Sequence, residues 1–271
     1  NQHKNGLLSR YFFWWSSNMS RKVNLDAIIH REDFEISDGI RQGIGYAKDT
    51  VSINDLKKGE FFFSFLRKPD FQRETNEWDS NKVINLIHSF LEDDLIPAII
   101  LWRSASGYIF VIDGSHRLSA LAAWINDDYG DGKISKLFYD GIISEDQIKI
   151  AEETRRIIKK RIGSFDDHQR AIEKPESVSP EILNRAKRMG ALAIQLQWVY
   201  GDASKAEDSF FKINQQASPI DQTELRVLQA RKKPNGIAAR AIVRSGKGHK
   251  YWSAFQQEVQ DEIQIISKRV N

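Results

Sequence analysis

The sequence predicts a mixed α/β (α+β) fold, and three observations carry that prediction. Residues 98–102 (AIILW) and 108–113 (YIFVID) are short apolar runs separated by the turn-forming stretch 104–107, the pattern of two buried strands joined as a hairpin. Helical spacing brackets the hairpin, with Val83, Ile84, Ile87, Phe90 and Leu91 before it and Leu118, Leu121, Ala122 and Ile125 after it. The composition, 41% hydrophobic and 28% charged over 271 residues, is that of a globular chain and excludes disordered, collagen-like and coiled-coil classes.

In chain order, the first 55 residues have weak periodicity and read as an N-terminal extension. Gly39, Gly43 and Gly45 have the wrong spacing for a dinucleotide fingerprint and mark a loop. The aromatic cluster Tyr11–Trp15 (YFFWW) is far shorter than a membrane span and reads as packing or interface surface. A core over 56–150 follows. In it residues 61–65 (FFFSF) suggest a strand, and Asp79-Ser80 supplies an N-cap for the first amphipathic helix. Gly114 breaks the second strand of the hairpin, and helical spacing resumes at once. A soft boundary falls between Gly130 and Ser164, beyond which residues 151–271 read as a mainly helical C-terminal region.

In that region the run Arg155–Arg161 suits an amphipathic helix face. A long helix is expected over 181–200, stepping through Leu183, Ala186, Met189 or Gly190, Ala193, Ile194 and Gln197. A short helix over 206–213 comes next. Asp221 and Glu224 have capping-box spacing before a further helix, which Pro234-Asn235-Gly236 is expected to end.

Charge and residue usage narrow the chemistry. With no Cys, thiolate catalysis, disulfides and sulfur-ligated zinc are excluded, and a reducing, cytoplasmic setting is expected. The six His are scattered without a metal-binding pair, and neither a P-loop nor a G-x-S-x-G elbow is present. Forty Lys and Arg against 37 Asp and Glu leave a net charge of only +3, yet Arg226–Trp252 holds eight basic residues and no acid. Arg231, Lys232, Lys233, Arg240, Arg244, Lys247 and Lys250, with Tyr251 and Trp252 to stack on bases, are the candidate nucleic-acid contacts; a solvated helical face is the competing reading.

The stretch with the most chemical content is Tyr108–Trp124 (YIFVIDGSHRLSALAAW), where an apolar strand enters Asp-Gly and a helix starts immediately. A helix N-terminus presents unpaired N–H groups and a positive dipole end, which favour an anion. Gly114 would let a phosphate approach the backbone, Ser115 would cap the helix or donate to a phosphate oxygen, and His116 and Arg117 would add donors. Asp113 could bind Mg²⁺ or orient water. An upstream segment, Pro69-Asp70-Phe71-Gln72-Arg73 followed by Trp78, could bring Arg73 to the same pocket.

Three segments in order, PDFQRETNEW at 69–78, DGSHRL at 113–118 and FFKINQQASPIDQTELR at 210–226, resemble signatures of the domain of unknown function 262 family, which is grouped with ParB and sulfiredoxin-like proteins. The likeness spans roughly residues 56–235. It implies a ParB/sulfiredoxin-like, nucleotide-binding core with a small mixed sheet, of the kind found in GmrSD-type restriction and other bacterial anti-phage systems. It also implies that the NTP site draws on Arg73, Asp113, Gly114, His116 and Arg117, with Asn214 and Glu224 bracing or extending it. The implied function is NTP binding and hydrolysis in a DNA-directed defence protein, with Asp113, His116 and Arg117 in the catalytic roles and a homo-oligomer or nuclease partner. The alternatives are a DNA-binding regulatory module or a ParB-like nuclease without NTP hydrolysis. The chain departs from the family at Ser115-His116, where Gln-Gln is commoner, and at Gln215-Gln216-Ala217, where Thr-Gly-Gly-like residues are usual. An HNH-like nuclease module is not evident in the sequence.

Overall fold

At the centre lies the expected hairpin, β4 (Ile99–Arg103) against β5 (Ile109–Asp113), closed by a turn at Ser104–Tyr108 in which Gly107 takes a positive φ. In the computed structural model, which describes residues 22–32, 34, 48–72, 75, 78–217, 230, 233–243 and 255–270, this hairpin is extended on both sides. On one side β3 (Leu66–Pro69) runs parallel to β5, and β1 (Arg31–Glu32) runs parallel to β3. On the other, β6 (Ala193–Val199) runs parallel to β4, and β2 (Thr50–Ser52) closes the edge antiparallel to β6. The result is a six-stranded mixed sheet in the order β1-β3-β5-β4-β6-β2. It draws strands from before residue 56 and after residue 151 as well as from the segment between.

Alternation along the strands sends side chains to two cores. Ile99, Leu101, Ile109 and Val111 face a layer that includes α2 (Ser80–Leu91) and α3 (Ser115–Asn126). The five apolar positions expected on α2 are all buried there, and Asp79 caps the helix by accepting from the Lys82 N–H at 2.9 Å. Trp102, Phe110 and Ile112 face the opposite way, onto Phe34, Phe71 and the Ala206–Phe210 face of α8 (Ala203–Ala217). Because both faces are covered, β5 reads as a continuous apolar run and not as an alternating one. The register of the hairpin slips between Ile100 and Leu101, so that Ile100 pairs with Asp113 and Ile112 is the extra residue. Such a bulge re-aims the strand end, and here the strand end is Asp113.

The remaining described α-helices are α1 (Phe61–Phe65), α4 (Lys133–Phe138), α5 (Glu145–Arg161), α6 (Phe165–Glu173), α7 (Pro180–Arg188), α9 (Pro234–Val243) and α10 (Gln257–Val270). The basic run at 155–161 lies on α5, as expected.

Two element expectations are corrected. Residues 61–65 form α1 and not a strand: sheet pairing begins only at Leu66, and Phe61 projects into solvent at 82% exposure. The helix expected over 181–200 ends at Arg188, and 193–199 is β6. Its Ile194 and Leu196 are buried while Ala193, Gln195 and Gln197 are exposed, a period of two that outweighs the weaker helical spacing. Pro234 starts α9, where in the first turn a missing N–H leaves no hydrogen bond unmade; the helix that Pro234-Asn235-Gly236 is expected to end lies outside the described residues. The Tyr11–Trp15 cluster, the glycines at 39–45 and the Asp221/Glu224 capping box lie outside the described residues.

Candidate functional site

The junction between β5 and α3 is built around Gly114, the N-cap of α3, at φ 96° and ψ 14°. A side chain is strained at that φ. Space excludes one too: a Cβ would lie 2.4 Å from Ile99 Cδ1 and 2.9 Å from an Arg117 guanidinium nitrogen. The expectation that glycine leaves room for a phosphate is corrected on this face, which the protein's own Ile99 and Arg117 fill.

Ser115 is the first helical residue and does not cap the helix; Gly114 offers no side-chain cap either. Buried at 4% exposure, the Ser115 hydroxyl accepts from the Gln72 side-chain amide at 3.1 Å, which leaves its own O–H able to donate. Arg117 donates to Asp113 at 2.7 Å and to the Ala98 carbonyl at 3.3 Å, while its Nε is buried without a hydrogen-bond partner among the described residues. The pair is partly open, with side-chain exposures of 16% for Arg117 and 37% for Asp113. His116, the second residue of α3, lies against the Trp78 ring, with centroids 5.6 Å apart and planes 23° from parallel.

The three quoted segments converge. Phe71 of the first packs edge-on against Phe210 of the third at 5.0 Å and stacks on Phe211 at 5.9 Å. Gln72 and Trp78 of the first meet Ser115 and His116 of the second. Sequence reasoning took Arg73 from the first segment and passed over its neighbours. Arg73 lies outside the described residues, and Gln72 and Trp78 are the ones found at the site. Their signal was their place in the quoted motif. Asn214 lies in α8, on the segment that carries Phe210 and Phe211; Glu224 is outside the described residues.

Behind this wall lies a charge network that no local pattern announced. Lys68, fully buried, donates to the Asp26 carbonyl at 2.8 Å, to the Asp26 carboxylate at 2.8 Å and to the Thr75 hydroxyl at 3.0 Å. The same carboxylate accepts from the Arg31 guanidinium and from the Thr75 N–H at 3.0 Å. Arg31 also reaches the Gln72 carbonyl at 3.4 Å. Burial pushes the Asp26 carboxyl up, but the charges of Arg31 and Lys68 and their hydrogen bonds outweigh it, and its pKa stands well below the usual carboxylate value.

The basic segment fares unevenly. Lys233 is exposed at the start of α9, whereas Arg240 is buried and donates to the Asp70 carboxylate at 2.9 Å, with side-chain exposures of 6% and 8%. The expected role of Arg240 in nucleic-acid contact is therefore corrected: its charge is spent inside the protein, on the residue two before Gln72. Arg231, Lys232, Arg244, Lys247 and Lys250 lie outside the described residues. Among the described residues no three His, Cys, Asp or Glu are grouped to hold a metal ion, and Asp113 is engaged by Arg117. No described helix is long and apolar enough to cross a membrane.

The model of the GmrSD restriction endonuclease N-terminal domain matches residues 52–229. The chain belongs to this family. No curated protein and no solved structure matches it. The GmrSD_N match contains the first two quoted segments, the third through its end at Arg226, and the elements from the end of β2 to α8 that bring them together.

Proposed function

We propose that this GmrSD-type domain, on a ParB/sulfiredoxin-like core, binds a nucleoside triphosphate at the first turn of α3. We further propose that it hydrolyses the nucleotide within a DNA-directed, anti-phage restriction protein of the cytoplasm. The observation that carries this reading is the combination at one helix start: no side-chain cap, a buried Arg117 Nε without a partner among the described residues, and a Ser115 hydroxyl able to donate. Phosphate oxygens supply the acceptors these groups lack, and the helix dipole favours their charge.

The parts divide simply. Arg117 and, from the first segment, Arg73 neutralise phosphate charge; Ser115 and His116 donate; Asn214 and Glu224 brace or extend the site. Phosphoryl transfer depends chiefly on such positioning and charge stabilisation. Asp113 orients water only if the incoming phosphate draws Arg117 off it, so binding and activation are linked through that ion pair. The described residues do not by themselves fit a Mg²⁺ site, because Asp113 stands alone and already paired; no step is assigned to the ion.

DNA is the expected target of the whole protein, with a nuclease partner or a second copy completing it. In the alternative, a DNA-binding module or nuclease without hydrolysis, affinity would rest on the basic 226–252 segment and fall steeply with salt. Burial of Arg240 removes one cation from that segment. Thermal unfolding across the four common NTPs, with and without Mg²⁺, separates the two. A ligand of the native state raises the midpoint by mass action, and a flat response to every nucleotide would remove the reading.

A further inference from the structure

We propose that Lys57, Lys58, Arg156, Lys159 and Lys160, gathered around the C-terminal end of α3, form a seat for the phosphate backbone of duplex DNA. This rests on the reading of a DNA-directed protein above and is independent of its nucleotide site. It places the contact on a surface other than the basic segment 226–252.

Four segments meet there. Lys57 and Lys58 lie in the turn that leads into α1, and this turn is fastened to Asn126, the last residue of α3. The Lys58 N–H donates to the Asn126 side-chain carbonyl at 2.7 Å, and the Asn126 amide donates to the Leu56 carbonyl at 2.9 Å. α5 runs alongside, tied by Arg155, which donates to the Asp127 carboxylate at 2.8 Å and to its carbonyl at 3.3 Å. The start of α6 closes the group: the Trp124 indole N–H reaches the Gly163 carbonyl at 3.1 Å, and the Lys57 ammonium stands 5.7 Å from the centre of the Phe165 ring. On α5 the buried positions are Ala151, Thr154 and Ile158, so Arg156, Lys159 and Lys160 are left to solvent, and all three are exposed. Lys159 lies one turn beyond Arg155 on the same flank.

The carboxylates at hand are already used. Asp127 and Asp131 pair with Arg155 at 2.8 Å and 2.7 Å, and Asp166 and Asp167 pair with Arg170. Glu60 and Glu152, both exposed, pair with none of the cations, and the five proposed residues have no ion-pair partner among the described residues. Cations in the last turn of a helix complement its dipole, which accounts for Lys159 and Lys160. It accounts neither for Arg156, earlier on α5, nor for Lys57 and Lys58, which come from another segment. Like charges brought together from two segments repel, and the net charge of the whole chain is only +3, so the concentration is local. A polyanion relieves that repulsion. Duplex DNA carries a charge about every 1.7 Å of its axis, a line that meets several cations at once, and cations spread over two segments suit a line better than a single anion. α3 is 12 residues long, so this seat lies about 18 Å from the Gly114 end and both sites can be filled together.

The test is binding of the full chain, without nucleotide, to a fluorescent duplex of mixed sequence, followed by anisotropy across a salt series. A patch variant carries Lys57→Gln, Lys58→Gln, Arg156→Gln, Lys159→Gln and Lys160→Gln. A control variant carries Lys82→Gln, Lys174→Gln, Lys187→Gln, Lys205→Gln and Lys212→Gln, which removes the same charge from exposed positions elsewhere. Each lost phosphate contact lowers the slope of log affinity against log salt by about 0.9, so the patch variant loses up to about 4 in slope and binds at least about a hundredfold more weakly at low salt. The control stays within about threefold of wild type. Thermal unfolding checks that each protein is folded; should the patch variant not fold, partial variants of the turn alone and of α5 alone carry the test, with slope losses of about 2 and about 3. Equal losses in patch and control variants, wild-type affinity in the patch variant, or no duplex binding by wild type would each overturn the proposal. NTP titration of the patch variant, expected to match wild type, keeps the nucleotide reading apart from it.

Discussion

Two charge clusters flank the segment 69–78, and they are finished to different degrees. Under the β1–β3 edge, Lys68 is shut off from water and places its protons on the Asp26 carbonyl, the Asp26 carboxylate and Thr75. At the start of α3, Arg117 holds Asp113 in a half-open pair and keeps a buried Nε with no partner among the described residues. Ionic groups taken out of water are tolerable only when their hydrogen bonds are made, and Lys68 makes three, so it is scaffold. The second has capacity left over, and capacity beside a helix N-terminus is what an anion uses.

Mutation separates them. Lys68→Met takes one of two buried cations from the Asp26 carboxylate, leaving it to Arg31 and the Thr75 N–H, and is expected to cost about 3 kcal/mol of unfolding free energy by urea titration. A loss below about 1 kcal/mol would mean the network is not scaffold. Gly114→Ala should cost about 1–3 kcal/mol, from the positive φ and from the push against Ile99, measured in the same way. Arg117→Met should cost no more than about 1 kcal/mol, since its ion pair is partly solvated, while removing nucleotide binding.

Acid sharpens the contrast. Asp26 has a folded pKa well below its unfolded value of about 3.9, so its stabilisation is complete above that value and is lost as pH falls through the folded one. Between those limits the unfolded chain binds the extra proton. Wild type should lose stability over that acid window, and Asp26→Asn should flatten this dependence. A slope unchanged in the variant would place the titrating group elsewhere.

Much of the site's skeleton was legible before any coordinates. Asp79 as a cap, the hairpin, Gly114 as a break and α3 beyond it all follow from local chemistry, and local chemistry decided them. β6 was misread because its period-two signal, Ile194 and Leu196, is short and sits directly after a true helix, so helical spacing could be carried through Gly190. Residues 61–65 misled because aromatic β preference counts only where a neighbouring strand is available. The buried charges were invisible for another reason. Nothing within a few residues of Lys68 or Arg240 says that Asp26 or Asp70 will enclose it; sheet order and the docking of α9 decide that. Ser115 looked like a cap for the same reason, since the Gln72 amide that occupies it comes from a distant strand end.

The central claim is that the unfinished cluster at α3 is a seat for the phosphates of a nucleotide, and calorimetric titration of NTPs into wild type and Arg117→Ala tests it most directly. The account predicts saturable one-site binding by wild type and at least about a tenfold loss in the variant, with both proteins folded. Equal affinity in the two proteins would contradict it.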